Sequence, residues 1–368
     1  MDLVRIWDLP TRLFHWLFAA ACATAWLSGD EPRYTDLHLY AGYLALGLVL
    51  FRLLWGVWGG RYARFAQFVR GPMAVREHLG RLFDPARHHP PGHNPAGAWA
   101  ILAMLGTVML LGLSGLVVLG GEEGFGPLAG MFSIAQGIAV HRWHDWLAWA
   151  LLAVVVLHLA GVALESLLQG ENLPRTMITG LKSGLAGEAE PRSFALAGAV
   201  LAATVLASAA GYFLPYWQST GDHPYLPFVG AELVHDALWQ ESCGECHMAY
   251  HPGLLPERSW QRMLDEQDDH FGESLYLAQS TVHALREYVR ANSAEQVSRE
   301  ASWRTLQSLP AAESPLRISA TPYWERVHRD IDEALWKRPS VNGKFDCAAC
   351  HRDAKRGGFM NGAMRIPD

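Results

Sequence analysis

Hydrophobic positions divide this chain into two styles. Up to about residue 216 they form long runs, and beyond it they recur every three or four residues among charges. The runs cover 13–28, 38–58, 98–119, 144–168 and 193–214. A helix crosses a bilayer with about 20 apolar residues, so five membrane spans are expected. Ala23-Thr24-Ala25 looks like a leader-cleavage site, but the first run is expected to remain as the first span, with His15 near its start. Pro215 is expected to end the fifth span, because proline cannot continue the helical ladder. Further on, 257–266 and 274–290 have helical spacing, whereas 291–315 is polar and reads as a loop or insertion. The pattern predicts an all-α protein. A transmembrane bundle would occupy 1–192, with four helices as its core, and a fifth, anchoring helix 193–216. A mainly helical soluble domain would occupy 217–368.

Composition sharpens this division. Half of the residues are hydrophobic and 18% are charged, and the net charge of −6 gives no footprint for nucleic acid. Many of the 15 tryptophans, including Trp7, Trp26, Trp55, Trp58, Trp143 and Trp146, stand at the ends of apolar runs, where aromatic belts form. The loop 59–97 carries Arg61, Arg64, Arg70, Arg76, Arg81 and Arg87 against Glu77 and Asp84, and the loop 170–192 carries Arg175, Lys182 and Arg192. The loop 120–143 has Glu122, Glu123 and one arginine, Arg142. Positive loops stay in the cytoplasm. The N-terminus is therefore expected inside a bacterial inner membrane, and residues 217–368 in the periplasm.

Histidines inside the apolar runs need a physical reason, because polar groups are expensive in lipid. His144 and His158 are fourteen residues apart in the fourth run. That is nearly four helical turns, so both lie on one face, about 21 Å apart along the axis. With the expected orientation, His15 and His158 lie toward the cytoplasm, and His38 and His144 toward the periplasm. Each level draws its two histidines from different helices, as axial clamping of a flat metal cofactor requires. Two bis-histidine b haems fit the pattern.

Four of the five cysteines form two C-x-x-C-H motifs: Cys243, Cys246 with His247, and Cys347, Cys350 with His351. This is the covalent attachment motif of haem c, two thiols for the vinyl groups and an adjacent histidine for the iron. Zinc ribbons also use C-x-x-C pairs, but the immediate histidine in both copies points to haem. So does the periplasmic side, which charge counting assigned without using these motifs. Cys22 sits alone in the first run and reads as a small apolar residue.

Two resemblances carry these expectations further. V-R-I-W-D-L-P-T-R-L-F-H-W (Val4 to Trp16), H-L-Y-A-G-Y at His38 and the two histidines of the fourth run resemble the bacterial cytochrome b561 and nickel–iron hydrogenase b-subunit family over about 1–180. The resemblance implies four spans around two b haems, exchanging electrons with membrane quinones or partner subunits. The segments 243–260, 270–273 (H-F-G-E), 317–324 (R-I-S-A-T-P-Y-W) and the C-terminal C-A-A-C-H resemble the dihaem cytochrome c family. In that family both haems carry two histidines, and the motif histidines match His270 and His328. Proximity along the chain suggests His270 for the first haem and His328 for the second.

The expected protein is a tetrahaem membrane cytochrome with two haem b and two haem c. It would pass electrons between the quinone pool or a membrane redox subunit and a periplasmic electron-transfer protein, alone or in an oligomer. No nucleophile–base arrangement or phosphate loop appears. Two alternatives remain: a quinol:cytochrome c-type oxidoreductase with its own quinone site, or a haem-based sensor, which needs an open iron position.

Overall fold

The computed structural model describes residues 2–31, 34–84, 90–184, 186–190, 192–218, 236–297, 299–360 and 363–367. Arg87 of the second loop and most of the linker 215–242, including His223 and His235, lie outside the described residues. The chain forms two compact units: Met1–Asp30, Leu37–Gly115 and Arg142–Tyr225 in one, Glu31–Asp36, Leu116–His141 and Leu226–Asp368 in the other.

The first unit is built on long helices. In chain order they are α1 (Leu9–Ser28), α2 (Thr35–Trp58), the short α3 (Phe65–Phe68) and α4 (Pro72–Gly80), α5 (Pro95–Gly121), α6 (Ile134–Gln169), the short α7 (Leu173–Thr179) and α8 (Ala195–Trp217). Of these, α2, α5, α6 and α8 are long and apolar enough to cross a membrane. By that measure α1 falls short, because Arg12 and His15 lower its hydropathy. Leu157, Leu159 and Leu167 of α6 lie largely exposed, as lipid-facing side chains do. Phe14, Ala21, Ala45, Leu48, Val49, Leu105, Val108 and Leu201 form the packed centre.

Local chemistry sets the helix ends. Asp8 accepts from Thr11 N at 2.8 Å and caps α1, with Pro10 in the first turn; such a cap contributes about 1 kcal/mol. Ser133 and Gln136 bond reciprocally, 2.9 and 3.3 Å, as a capping box. They start α6 ten residues before the expected 144. Pro215 does not end the fifth long helix. Gln218 N donates to Leu214 O at 3.0 Å and closes the last turn across the proline, so α8 reaches Trp217. The N-terminal segment adds a short strand to the helical frame. β1 (Asp2–Arg5) pairs antiparallel with β2 (Leu181–Gly184), from Asp2 opposite Gly184 to Arg5 opposite Leu181. Below this ribbon Val4, Ile6 and Trp7 are buried with Tyr62, Met177 and Ala189.

In the second unit the helices are short: α9 (Ala237–Cys243), α10 (Glu257–Asp265), α11 (Gln279–Asn292), α12 (Glu300–Ser308) and α13 (Pro322–His328). The expected helices at 257–266 and 274–290 appear as α10 and α11. The expected loop 291–315 is corrected in part. Its centre is α12, because Trp303 N bonds to Arg299 O at 2.9 Å and Ser302 and Thr305 pack inward. The core consists of Trp239, Ala249, Leu255, Trp260, Leu264, Val282, Leu285 and Val289. Trp260 Nε1 donates to Pro252 O at 2.6 Å, which ties the motif loop to α10.

Candidate functional site

The first unit brings His38 of α2 and His144 of α6 together, with ring centroids 6.1 Å apart at 68°. In the second unit His247 faces His270 at 6.2 Å and 37°, and His328 faces His351 at 6.2 Å and 67°. The three spacings agree within 0.1 Å although the angles do not. Simple ring packing would accept anything from about 4.5 to 7 Å. A metal held by imidazole nitrogens at about 2 Å on each side demands one spacing and leaves the ring angle free. His15 of α1 and His158 of α6 are close enough to interact electrostatically.

Four of these rings are oriented by their Nδ1 atoms. His38 Nδ1 donates to Ala25 O at 2.8 Å, His247 Nδ1 to Met248 O at 2.8 Å and His328 Nδ1 to Trp324 O at 2.9 Å. A carbonyl only accepts, so in these three a proton sits on Nδ1, and in the neutral ring Nε2 keeps its lone pair. His144 Nδ1 lies 2.9 Å from Ser114 Oγ, whose hydroxyl donates to Leu111 O at 3.1 Å. Ser114 therefore acts as acceptor, and the same tautomer follows. Ligating histidines are oriented this way, with the second nitrogen hydrogen-bonded.

Burial favours the neutral form, the one that binds metal, at His270, His328 and His351. His351 is lowered to about 4 by burial and then by His328. His270 is lowered by burial and by His247. For His328 burial also lowers the value, against the Trp324 carbonyl. Burial pushes the thiols the other way, Cys243 up to about 12 and Cys347 up to about 11. The turn that presents His270 needs two unusual backbone angles, φ 57° at Phe271 and 98° at Gly272. His328 ends α13, which Thr321 caps through Trp324 N at 3.3 Å. Its ring stacks on Trp324 with centroids 4.3 Å apart.

Residues 6–180 match the prokaryotic cytochrome b561 family, and residues 239–359 match the dihaem cytochrome c family. A diheme cytochrome c from Rhodobacter sphaeroides is 34% identical over 34% of this chain and 98% of its own, with a TM-score of 0.31. A second structure, DHC purified from Rhodobacter sphaeroides, is 32% identical over 34% of this chain and 97% of its own, TM-score 0.27. The diheme cytochrome c of Shewanella baltica OS155 is 24% identical over 37% and 95%, TM-score 0.30. No curated protein matches. The chain belongs to the dihaem cytochrome c family, and the same polypeptide carries the cytochrome b561 match over 6–180. The fusion is an all-α membrane electron-transfer cytochrome, and its two parts imply haem b and haem c.

The donor sets fit these groups: paired imidazoles in both units and two cysteine pairs in the second. In the second unit, the cysteines would form the thioether links, and His247 and His351 beside them would face the iron. Sequence reasoning missed several supporting groups. Ser114 orients His144 from α5, across 30 residues of chain. Tyr250 lies 4.9 Å from His247 by ring centroids, and its hydroxyl donates to Phe345 O, two residues before the second motif. It links the two motif loops, a contact across 95 residues that no local pattern announces.

Proposed function

We propose that this cytochrome carries four haems, each between two histidines: His15 with His158, His38 with His144, His247 with His270, and His351 with His328. Cys243, Cys246, Cys347 and Cys350 attach the last two covalently. The first two are b haems, stacked across the membrane, with His15 and His158 on the cytoplasmic side. Electrons pass between the quinone pool or a membrane subunit and a periplasmic redox protein. The N-terminus is cytoplasmic and the haem c domain periplasmic. The observation that carries this reading is the common spacing of 6.1–6.2 Å in three histidine pairs. Two occupied axial positions make a centre suited to electron transfer rather than ligand capture. Adding a quinol to the purified chain tests the whole path: reduction of both b and c haems is expected, and failure without a membrane partner would make it a wiring subunit. Carbon monoxide binding by the reduced protein at native pH would refute the fully paired ligation and favour a sensor.

A quinone site within the chain is the second reading, and one cluster favours it. Glu165 of α6 is buried, two helical turns beyond His158. It accepts from Asn94 Nδ2 at 3.1 Å and Gln169 Nε2 at 2.8 Å, and His78 Nε2 of α4 lies 3.3 Å from it. A carboxylate–imidazole pair is the equipment for moving quinol protons. If Glu165→Gln abolishes quinol-driven reduction while all four haems remain, the chain is a quinol:cytochrome c-type oxidoreductase.

A further inference from the structure

Among the buried charges of the first unit, Arg52 stands out. It is 2% exposed, in the last third of α2. Its Nη1 is buried and has no hydrogen-bond partner. A buried guanidinium carries five donors and costs several kcal/mol unless they are satisfied. Its immediate neighbours are aromatic: Cζ lies 4.6 Å from the Phe65 ring centre and 5.9 Å from that of Phe68. Asp8 influences it through charge alone, since Asp8 accepts from Thr11 N and from Trp55 Nε1 at 3.2 Å.

His93 lies against the same aromatic wall. Its ring centre is 4.5 Å from that of Phe68 and 4.7 Å from that of Trp7. Its Nδ1 is also buried without a partner. The groups whose charge reaches His93 are Arg52, His158, Lys182 and His15. A guanidinium with an orphaned Nη1 and an imidazole with an orphaned Nδ1 thus lie around Phe68, and the imidazole is within electrostatic reach of Arg52 and of both histidines of one level. Arg12 also has a buried Nε without a partner, but its Nη1 is tied to Ile178 O at 2.6 Å, and Lys182 Nζ lies 3.9 Å from Glu171.

We infer that Arg52 and His93 form a receiving site for carboxylates, and that the carboxylates are the propionates of the haem between His15 and His158. This rests on the proposed ligation by those two histidines. The orphaned atoms are the donors that a propionate edge requires. Arg52 supplies the bidentate fork and the charge, and His93 a neutral N–H. A carboxylate there would remove the cost of an unpaired buried cation. Arg52 is a positioning residue with an electrostatic consequence: its positive charge disfavours the ferric state of the nearby iron and raises its potential.

The test uses the full-length holoprotein in detergent, with resonance Raman spectra and a redox titration of the four haems. Arg52→Gln is expected to shift the propionate bending bands of one b haem and lower its potential, with the other three potentials unmoved. Arg52→Lys should restore most of the potential, because the charge returns, but not the bands. Should Arg52→Gln lose that haem, His93→Gln supplies the Raman readout, with the same band shift expected. Unmoved propionate bands at full b-haem content in both glutamine variants would overturn the inference. So would a wild-type b-haem potential that tracks phosphate concentration, which would assign the pocket to a free anion. Failure of the ligation itself reads differently: His158→Ala would then keep both b haems.

Discussion

The two units hold paired histidines by opposite means. In the first, helices of 20, 24, 27 and 36 residues supply His15, His38, Ser114, His144 and His158. Their backbone is satisfied internally, so the histidines are expected to ride on a frame that forms without them. In the second, helices of 7, 9, 14, 9 and 7 residues leave His247, His270 and His351 on loops and turns, and His328 at a helix end. The second unit's core lies mainly around α9–α11, and its C-terminal part contributes little to it. There the cofactor is expected to act as part of the core. Covalent attachment at Cys347 and Cys350 suits the part where non-covalent packing is thinnest.

Removing attachment in the second unit should break this contrast most visibly. Cys347→Ala with Cys350→Ala is expected to lose one c haem and render the segment from α13 to the C-terminus sensitive to proteolysis. Resistance equal to the parent would show that the segment folds without its haem. Next is His158→Ala, expected to halve the b-haem content in a pyridine haemochrome assay, with both c haems retained and the helical signal unchanged. Loss of the helical signal would mean that the membrane bundle also depends on its cofactors.

Ligand identity should matter less than ligand loss. His270→Met is expected to raise one c-haem potential by on the order of 0.1 V, well inside the roughly 0.8 V span reached by axial ligands. A titration without change would remove His270 from the ligand set. Ser114→Ala deletes the acceptor on His144 Nδ1 and makes the imidazole a weaker donor. One b-haem potential should rise slightly, by about a few tens of millivolts, well within the range that second-shell hydrogen bonding controls.

The smallest effect is expected in the second unit's acidic loop. Glu123 is raised to about 8, first by burial and then by Glu300, Glu122 and Asp353, with Arg299 opposing. Between its ordinary value and about 8 the folded protein holds a proton there that the unfolded chain releases. Stability from this group is therefore full at low pH and is lost as pH rises toward 8. Glu123→Gln should flatten the decline in melting temperature between pH 5 and 8, and an unchanged slope would assign the decline elsewhere.

Much of this was legible before any fold was known. Long apolar runs located the membrane helices, since a span must be apolar over its whole length, and the C-x-x-C-H motifs are local. Fourteen residues between His144 and His158 set them on one helical face by geometry alone. The extent of α6 was legible too, had Ser133 and Gln136 been read as a capping box. The continuation of α8 past Pro215 was not, because it depends on one hydrogen bond beyond the proline.

What the sequence determined by itself was therefore the helical inventory, the cysteine chemistry and the candidate histidines, all set by spacing within a single segment. The tertiary structure decided which histidines meet, that Ser114 orients His144, that Tyr250 ties the two motif loops, and that Arg52 and His93 are left without partners around Phe68. Those relations join residues 23 to 106 positions apart. Periodicity carries no information across such distances, and only packing of the intervening chain brings the groups together.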